Sequence, residues 1–305
     1  MVVVGSGLAL RAPRNDEEQV KASPLPRPCV LCSNAGMKET AEHLVRRATA
    51  AFNAGRRDEA RQLCEQGLAR QPGEPMLGHL LAAVLFAQNE IEAARVHIGT
   101  SLAKRPDSAA AQLLAARIAR AAGDIEGALS HLDRAIAIAP QREVFLEKAR
   151  TLDQAGLKSQ ASEAWRAILA AIPRHQEASA RLGRLAWEDK DYASAASLLE
   201  RATASEAPAS VWFDLGLVHQ DLRDFRAAAA AYRKAIEIKP DFAEAALNLG
   251  IVLQESGDPD AAMAAYRSAY RLRPTLFGGI AMALTSASPG RLWLDEGELR
   301  RSLSG

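Results

Sequence analysis

Proline falls at a fixed interval along most of this chain. Pro72, Pro106 and Pro140 are 34 residues apart, Pro173 follows after 33, and Pro240 and Pro274 are again 34 apart. Ala207-Pro208 stands where one more mark is due. A period of this length belongs to an array of supersecondary units that bury their apolar faces on one another. The 305 residues would otherwise suggest about two globular domains. Composition agrees with an array. About a fifth of the residues are alanine and only 5% are aromatic, a helix-rich mixture without the bulky residues of a large single core.

Each period has the same content. In 209–242, Trp212, Leu215, Gly216 and His219 share one helical face, Arg223-Asp224-Phe225 interrupts the pattern, and Ala228, Tyr232 and Ala235 share a second face before Pro240. The next period repeats this with Ala246, Leu249, Gly250, Leu253, Gly257-Asp258-Pro259, Ala262, Tyr266, Ala269 and Pro274. Glycine suits the end of the first helix, and Asp-Pro the start of the second. Gly216, Gly250, Ala228 and Ala262 allow two helices to approach closely, and Tyr232 and Tyr266 fill the gap that remains. The predicted unit is a helical hairpin.

These residues resemble the tetratricopeptide repeat family, whose pattern is Trp, Leu-Gly, Tyr, then Ala, Tyr or Phe, Ala and Pro. The resemblance implies an all-α fold, a right-handed α-solenoid of stacked hairpins. Seven units are expected, at 41–74, 75–108, 109–141, 142–175, 176–208, 209–242 and 243–276. Turn marks recur at Gly55, Asn89, Gly123, Gly156, Lys190, Arg223 and Gly257. The small residue near the start of the second helix recurs at Ala60, Ala94, Ala128, Ala161, Ala195, Ala228 and Ala262. Arg47 and Lys148 stand where leucine is usual, and local looseness is expected there.

Both ends depart from the pattern. Residues 1–38 lack periodicity, carry Pro24, Pro26 and Pro28, and read as a disordered tail, with Met37 a candidate true start. Gly5-Ser6-Gly7 lacks the third glycine and the βαβ context of a dinucleotide site. Cys29 and Cys32 form a lone CxxC, whereas a structural zinc site needs four ligands. Residues 277–305 are expected to cap the stack, with a helix over 275–286 and a short last one over 295–303 opened by an Asp295/Glu298 capping box. Leu292-Trp293-Leu294 would either seal the terminal repeat or dock a partner.

Function in such an array resides on a surface. Positions 2, 5, 9 and 12 of each unit form a stripe on the first helix that packing leaves exposed. The resemblance implies that stacked stripes form a concave groove holding a peptide or protein segment. The predicted contact residues are Phe52, His79 and Phe86 at an apolar end, Arg117, Arg120, Arg150 and Arg184 as a central ladder, and Trp187, Phe213, Gln220 and Gln254 at a mixed end. Arginine suits carboxylates because its planar fork bonds them bidentately, so the expected partner carries acidic groups. The alternative is an internal ladder, since Arg150 follows Glu147, Arg184 precedes Glu188, and Glu143 or Glu147 of the next unit could reach Arg117. The Lys and Asn positions of the family's two-carboxylate clamp are not found.

Other chemistries lack residues to carry them. The six histidines show no metal spacing, and no nucleophile elbow or phosphate loop is present. No cofactor, metal or catalytic site is expected. A net charge of +1 argues against a nucleic-acid or membrane partner, and no run of about 20 apolar residues predicts a membrane span. The expectation is a non-enzymatic cytoplasmic scaffold or adaptor. A substrate-presenting accessory subunit and a self-assembling homo-oligomer are the alternatives.

Overall fold

The computed structural model describes residues 40–286 and 296–304. The fold lies in the unit Ala41–Gly305. Cys29, Cys32, Leu292-Trp293-Leu294 and Asp295 lie outside the described residues.

Among the described residues the fold is α-helical, with no strand. Fourteen helices pair in sequence into hairpins: α1 (Ala41–Asn53) with α2 (Arg57–Arg70), α3 (Pro75–Ala87) with α4 (Ile91–Lys104), α5 (Ala109–Ala121) with α6 (Ile125–Ile138), and α7 (Arg142–Gln154) with α8 (Lys158–Ala171). The rest are α9 (Gln176–Glu188) with α10 (Tyr192–Thr203), α11 (Ala209–Asp221) with α12 (Phe225–Ile238), and α13 (Ala243–Glu255) with α14 (Pro259–Leu272). Each second helix packs on its own first helix and on the first helix of the next hairpin. The result is an α-solenoid.

The turn chemistry explains why the hairpins are alike. The second residue after each first helix's C-terminus has a left-handed backbone, including the non-glycine residues Asn89 (φ 65°), Lys190 (φ 64°) and Arg223 (φ 57°). An aspartate then caps the second helix in four hairpins. Asp124, Asp191, Asp224 and Asp258 accept from the backbone N–H three residues on, at 2.8, 3.2, 3.0 and 3.1 Å. Each such cap contributes about 1 kcal/mol. In these four hairpins chain reversal thus depends on two adjacent residues, whereas Arg56, Glu90 and Leu157 make no side-chain cap.

Within each hairpin, position 8 of the first helix meets position 24 in the second. The pairs are Ala48/Cys64, Ala82/Ile98, Ala116/Leu132, Ala149/Trp165, Gly183/Leu199, Gly216/Tyr232 and Gly250/Tyr266, and every side chain named at position 24 is buried. The largest partners mostly face glycine. A Cβ on Gly216 or Gly250 would enter the ring of Tyr232 or Tyr266, and one on Gly183 would stand 2.7 Å from Cγ of Leu199. Trp165 breaks the rule by facing alanine, and its indole N–H is buried without a partner. The two tyrosine hydroxyls do find partners. Tyr232 Oη donates to Oε1 of Gln220 at 2.8 Å, and Tyr266 Oη to Oε1 of Gln254 at 3.0 Å.

At the C-terminal end a 3-10 turn, Pro274–Leu276, leads into α15 (Phe277–Ser286), and α16 (Glu296–Ser304) follows. Ile280, Leu284, Leu299 and Leu303 are buried in the same apolar core as Tyr266. Gln254 Nε2 ties α13 to the carbonyl of Ala283 at 2.9 Å, and Arg300 lies over the Phe277 ring. Lys148 is not loosely held: its ammonium reaches Asp133 on α6 at 2.6 Å. The shorter third unit loses a linker residue between α6 and α7, whereas the fifth has a shorter second helix, of 12 residues.

Overpacking a core contact costs about 1–3 kcal/mol. Gly216→Ala should therefore lower stability by that order in urea unfolding. The Ala116/Leu132 pair shows that alanine is accommodated opposite leucine. Gly216→Ala with Tyr232→Leu should consequently be more stable than the two separate losses predict, and strict additivity would remove this contact as the limiting one.

Candidate functional site

The ladder arginines sit on the first helices, on the face the sequence assigns to the groove. Each reaches forward to a carboxylate on the next first helix. Arg117 on α5 donates to Glu143 Oε1 at 2.6 Å and Glu147 Oε2 at 3.2 Å. Arg150 on α7 holds Glu177 on α9 through two bonds of 2.8 and 2.6 Å. Arg184 on α9 bonds Asp214 on α11 at 2.5 Å. Position 9 of one unit thus meets position 2 or 6 of the following one. Arg120 and Trp187, at position 12, reach position 13 of the next unit: Arg120 donates to Gln154 at 2.8 Å and Trp187 Nε1 to Asp221 at 2.7 Å.

Glu147 is the node of this network. Its side chain is 3% exposed and lies against Arg117, Arg120 at 2.7 Å, and Arg150 at 3.7 Å. A buried carboxylate persists only when paired, and three guanidinium groups surround this one. The sequence offered Glu147 and Glu143 as partners within reach. It did not point to Asp214, Asp221 or Gln154, whose only signal is their place in the following repeat.

Other predicted residues fall into separate groups. Arg184 and Trp187 stack, with the guanidinium 5.1 Å from the ring centroid. Phe213 packs on Tyr232 and Phe242 and borders the same cleft as Arg184. Phe52 and Phe86 are half-buried against the core that the first two units share with α5. His79 lines a separate cavity of about 120 Å³ beside Met76, Arg105 and Ser108, and burial holds its pKa below the ordinary value. Gln220 and Gln254 are engaged by the tyrosine hydroxyls. The eleven residues are thus spread along the stack and do not line a single cavity.

Two clefts open along the ladder. One of about 700 Å³ runs over α7, α9 and α11, lined by Asp153, Glu177, Ala180, Arg184, Phe213 and Asp214 among others. The second, of about 570 Å³, is lined by Arg120, Arg150, Asp153, Gln154, Glu177 and Arg181. Asp153, Glu177 and Arg181 border both. Burial raises the Asp153 and Asp214 pKa values against the pull of Arg181 and Arg184. Glu177 is shifted down, chiefly by the hydrogen bond from Arg150. The walls thus alternate charges that are already matched. Among the described residues no group of three or more His, Cys, Asp or Glu is placed to hold a metal ion, and no helix is long and apolar enough to cross a membrane.

Removing both Arg117 and Arg120 leaves Glu147 without its two nearest cations, a loss of about 3–5 kcal/mol for an uncompensated buried charge. Arg117→Ala/Arg120→Ala should fall by that order in denaturant unfolding and recover in part when Glu147→Gln is added. A second expectation concerns pH. A depressed carboxylate stabilises the fold above its unfolded pKa, and that contribution is lost as pH falls through the folded value. For Glu177 the ordinary value is 4.5 and the folded one lies below it. Arg150→Ala should therefore flatten the fall in melting temperature on acidification below pH 4.5, read against wild type.

Two profiles, each described as tetratricopeptide repeat, match this chain, one over residues 51–118 and 85–145, the other over 146–210 and 213–276. No curated protein matches it. Among solved structures, the C-terminal part of a TPR repeat-containing protein from Cytophaga hutchinsonii aligns at a TM-score of 0.62 and 16% identity, over 76% of this chain and 96% of that one. A chain of the APC/C hetero-tetramer Cut9-Hcn1 aligns at 0.60 and 17%, over 83% of this chain, which spans 50% of that one. MamA aligns at 0.50 and 25%, over 55% and 93%. Stacks of such repeats are protein–protein interaction scaffolds. Matches along the repeated hairpins, together with the solenoid itself, mean that the chain belongs to the tetratricopeptide repeat family.

Proposed function

We propose that this protein is a non-catalytic scaffold that holds a segment of a partner protein against the first helices of its fourth to sixth units. The observation that carries the reading is the pair of adjoining clefts, lined by residues of α7, α9 and α11 and sharing Asp153, Glu177 and Arg181. Phe213, Val211 and Ala180 supply apolar contact between the charges.

The charge pattern refines the partner. Arg150 and Arg184 already hold Glu177 and Asp214, so an acidic group must share the guanidinium with that carboxylate or displace it. Exchange of that kind is close to neutral if the released carboxylate finds a new cation, because each new pair replaces one of similar geometry. The preferred partner segment therefore bears both an acidic and a basic side chain, rather than acids alone.

A photo-crosslinking residue placed at Ala180 or Ser210 in the full chain reads this out. Capture of one common partner peptide at both positions is expected, with none at Val96, which is 64% exposed on α4, away from the clefts. Capture at Val96 alone, or none at Ala180 and Ser210, rejects the groove as the binding face.

A further inference from the structure

The guanidinium groups of the groove are matched by carboxylates, but another set is not. On the second-helix face, Arg226 and Arg233 of α12 lie two turns apart on one side of the helix, with exposed Ala230 between them. Arg267 of α14 occupies the same repeat position as Arg233, and Arg271 stands one turn beyond it. Helix α16 packs on α14, where Arg267 Nε donates to the carbonyl of Ser302 at 2.7 Å and brings exposed Arg301 alongside. Among the described residues, Arg226, Arg233, Arg271 and Arg301 have no carboxylate within ion-pair distance. The acids on these elements are Glu237, held by Lys234, together with Asp260, Glu296 and Glu298.

Arg271 and Arg301 stand in the last turns of α14 and α16, where the helix dipole favours a cation, but local stability does not explain Arg226 or the close spacing of Arg267 and Arg271. Arg226 sits in the first turn of α12, where the helix dipole favours an acid. The equivalent residues of four other units are Asp58, Glu92, Glu126 and Asp260, and α12 alone places a cation there. Arg267 and Arg271, four apart on α14, are a like-charge pair that weakens a helix. Helices α12 and α14 both pack on α13, and α16 packs on α14, so Arg226 and the Arg267/Arg271 pair are cations against local helix preference on neighbouring elements, with exposed Ala230 and Ala264 among them.

We propose that Arg226, Arg233, Arg267, Arg271 and Arg301 form a second docking surface, for an acidic segment of a partner protein. Arginine is the cation enriched at protein interfaces, and its fork matches single carboxylates. The chain's net charge of +1 gives no long-range field to gather a polyphosphate, and Asp260 within the patch opposes a continuous phosphate backbone. The surface lies on second helices, away from the first-helix clefts, and is independent of the groove reading.

The probe is a fluorescent polyglutamate peptide, followed by anisotropy with the full chain at low and physiological salt. Arg226→Glu/Arg233→Glu/Arg271→Glu should weaken its binding by about tenfold or more. Arg70→Glu/Arg134→Glu/Arg166→Glu makes the same change in net charge on other second helices and should have a small effect. The single variant Arg226→Glu should bind less tightly without a lower melting temperature, separating docking from folding. Equal weakening in both triple variants, or no binding by wild type, overturns the proposal. Tighter binding of a charge-matched oligodeoxynucleotide than of the peptide overturns it in favour of a nucleic-acid surface.

Discussion

The close approach of two helices at positions 8 and 24 underlies the rest of the molecule. A hairpin of 13- and 14-residue helices has too little apolar surface to be stable alone. It becomes a building block only if its own helices lie near enough for the second to present one flank to the next unit. Gly216 and Gly250 achieve that opposite tyrosine, and Ala116 opposite leucine. Where small meets large, the first helices of successive units come into a constant relation. The charge ladder depends on that constancy, because Arg117, Arg150 and Arg184 each bridge from position 9 of one repeat to position 2 or 6 of the next.

The hairpins could be read from sequence because their determinants are local. Proline interval, left-handed turn residue, aspartate cap and small-residue spacing each act within a few residues. Lys190 and Arg223 show the limit of that reading, since they take the left-handed turn conformation without being glycine, and only their place in the period marks them. The ladder was less legible. Arg184 suggested Glu188 by helix spacing, yet that contact is 3.6 Å while Asp214, 30 residues on, stands at 2.5 Å. Local rules favour neighbours at three and four residues, whereas a solenoid makes neighbours of residues one period apart. Gln220 and Gln254 show the same limit: their positions belong to the groove stripe, and sequence spacing did not show that the tyrosine hydroxyls beneath also engage them.

The middle of the stack is consequently a different material from its ends. The first two units share one apolar core with α5, and the last two share another with the cap, while the intervening clusters are smaller. Unit four contains Glu147 and the unpartnered indole of Trp165. An apolar residue in place of a buried ionic node is often neutral or better for stability. What the node adds is register. Glu147 accepts from two arginines of α5 and lies near one of its own helix, so a rotation of α7 about its axis would break several charge-assisted bonds at once.

That distinction bears on how the groove can select a partner. A groove lined by unpaired arginines would attract any acid, with affinity falling steeply as salt rises. A groove whose cations are already bonded gives less to a lone acid, because the acid must share each guanidinium with the carboxylate already on it. It rewards a ligand that replaces both halves of a pair, and the geometry of Arg150 with Glu177 sets the spacing at which those halves must arrive. Selectivity then comes from the loss incurred by a mismatched ligand, which frees a guanidinium or a carboxylate without a substitute. Arg226, Arg233, Arg271 and Arg301, on α12, α14 and α16, have no such carboxylate partner, so under the two proposals one face would match paired charges and the other a net negative segment.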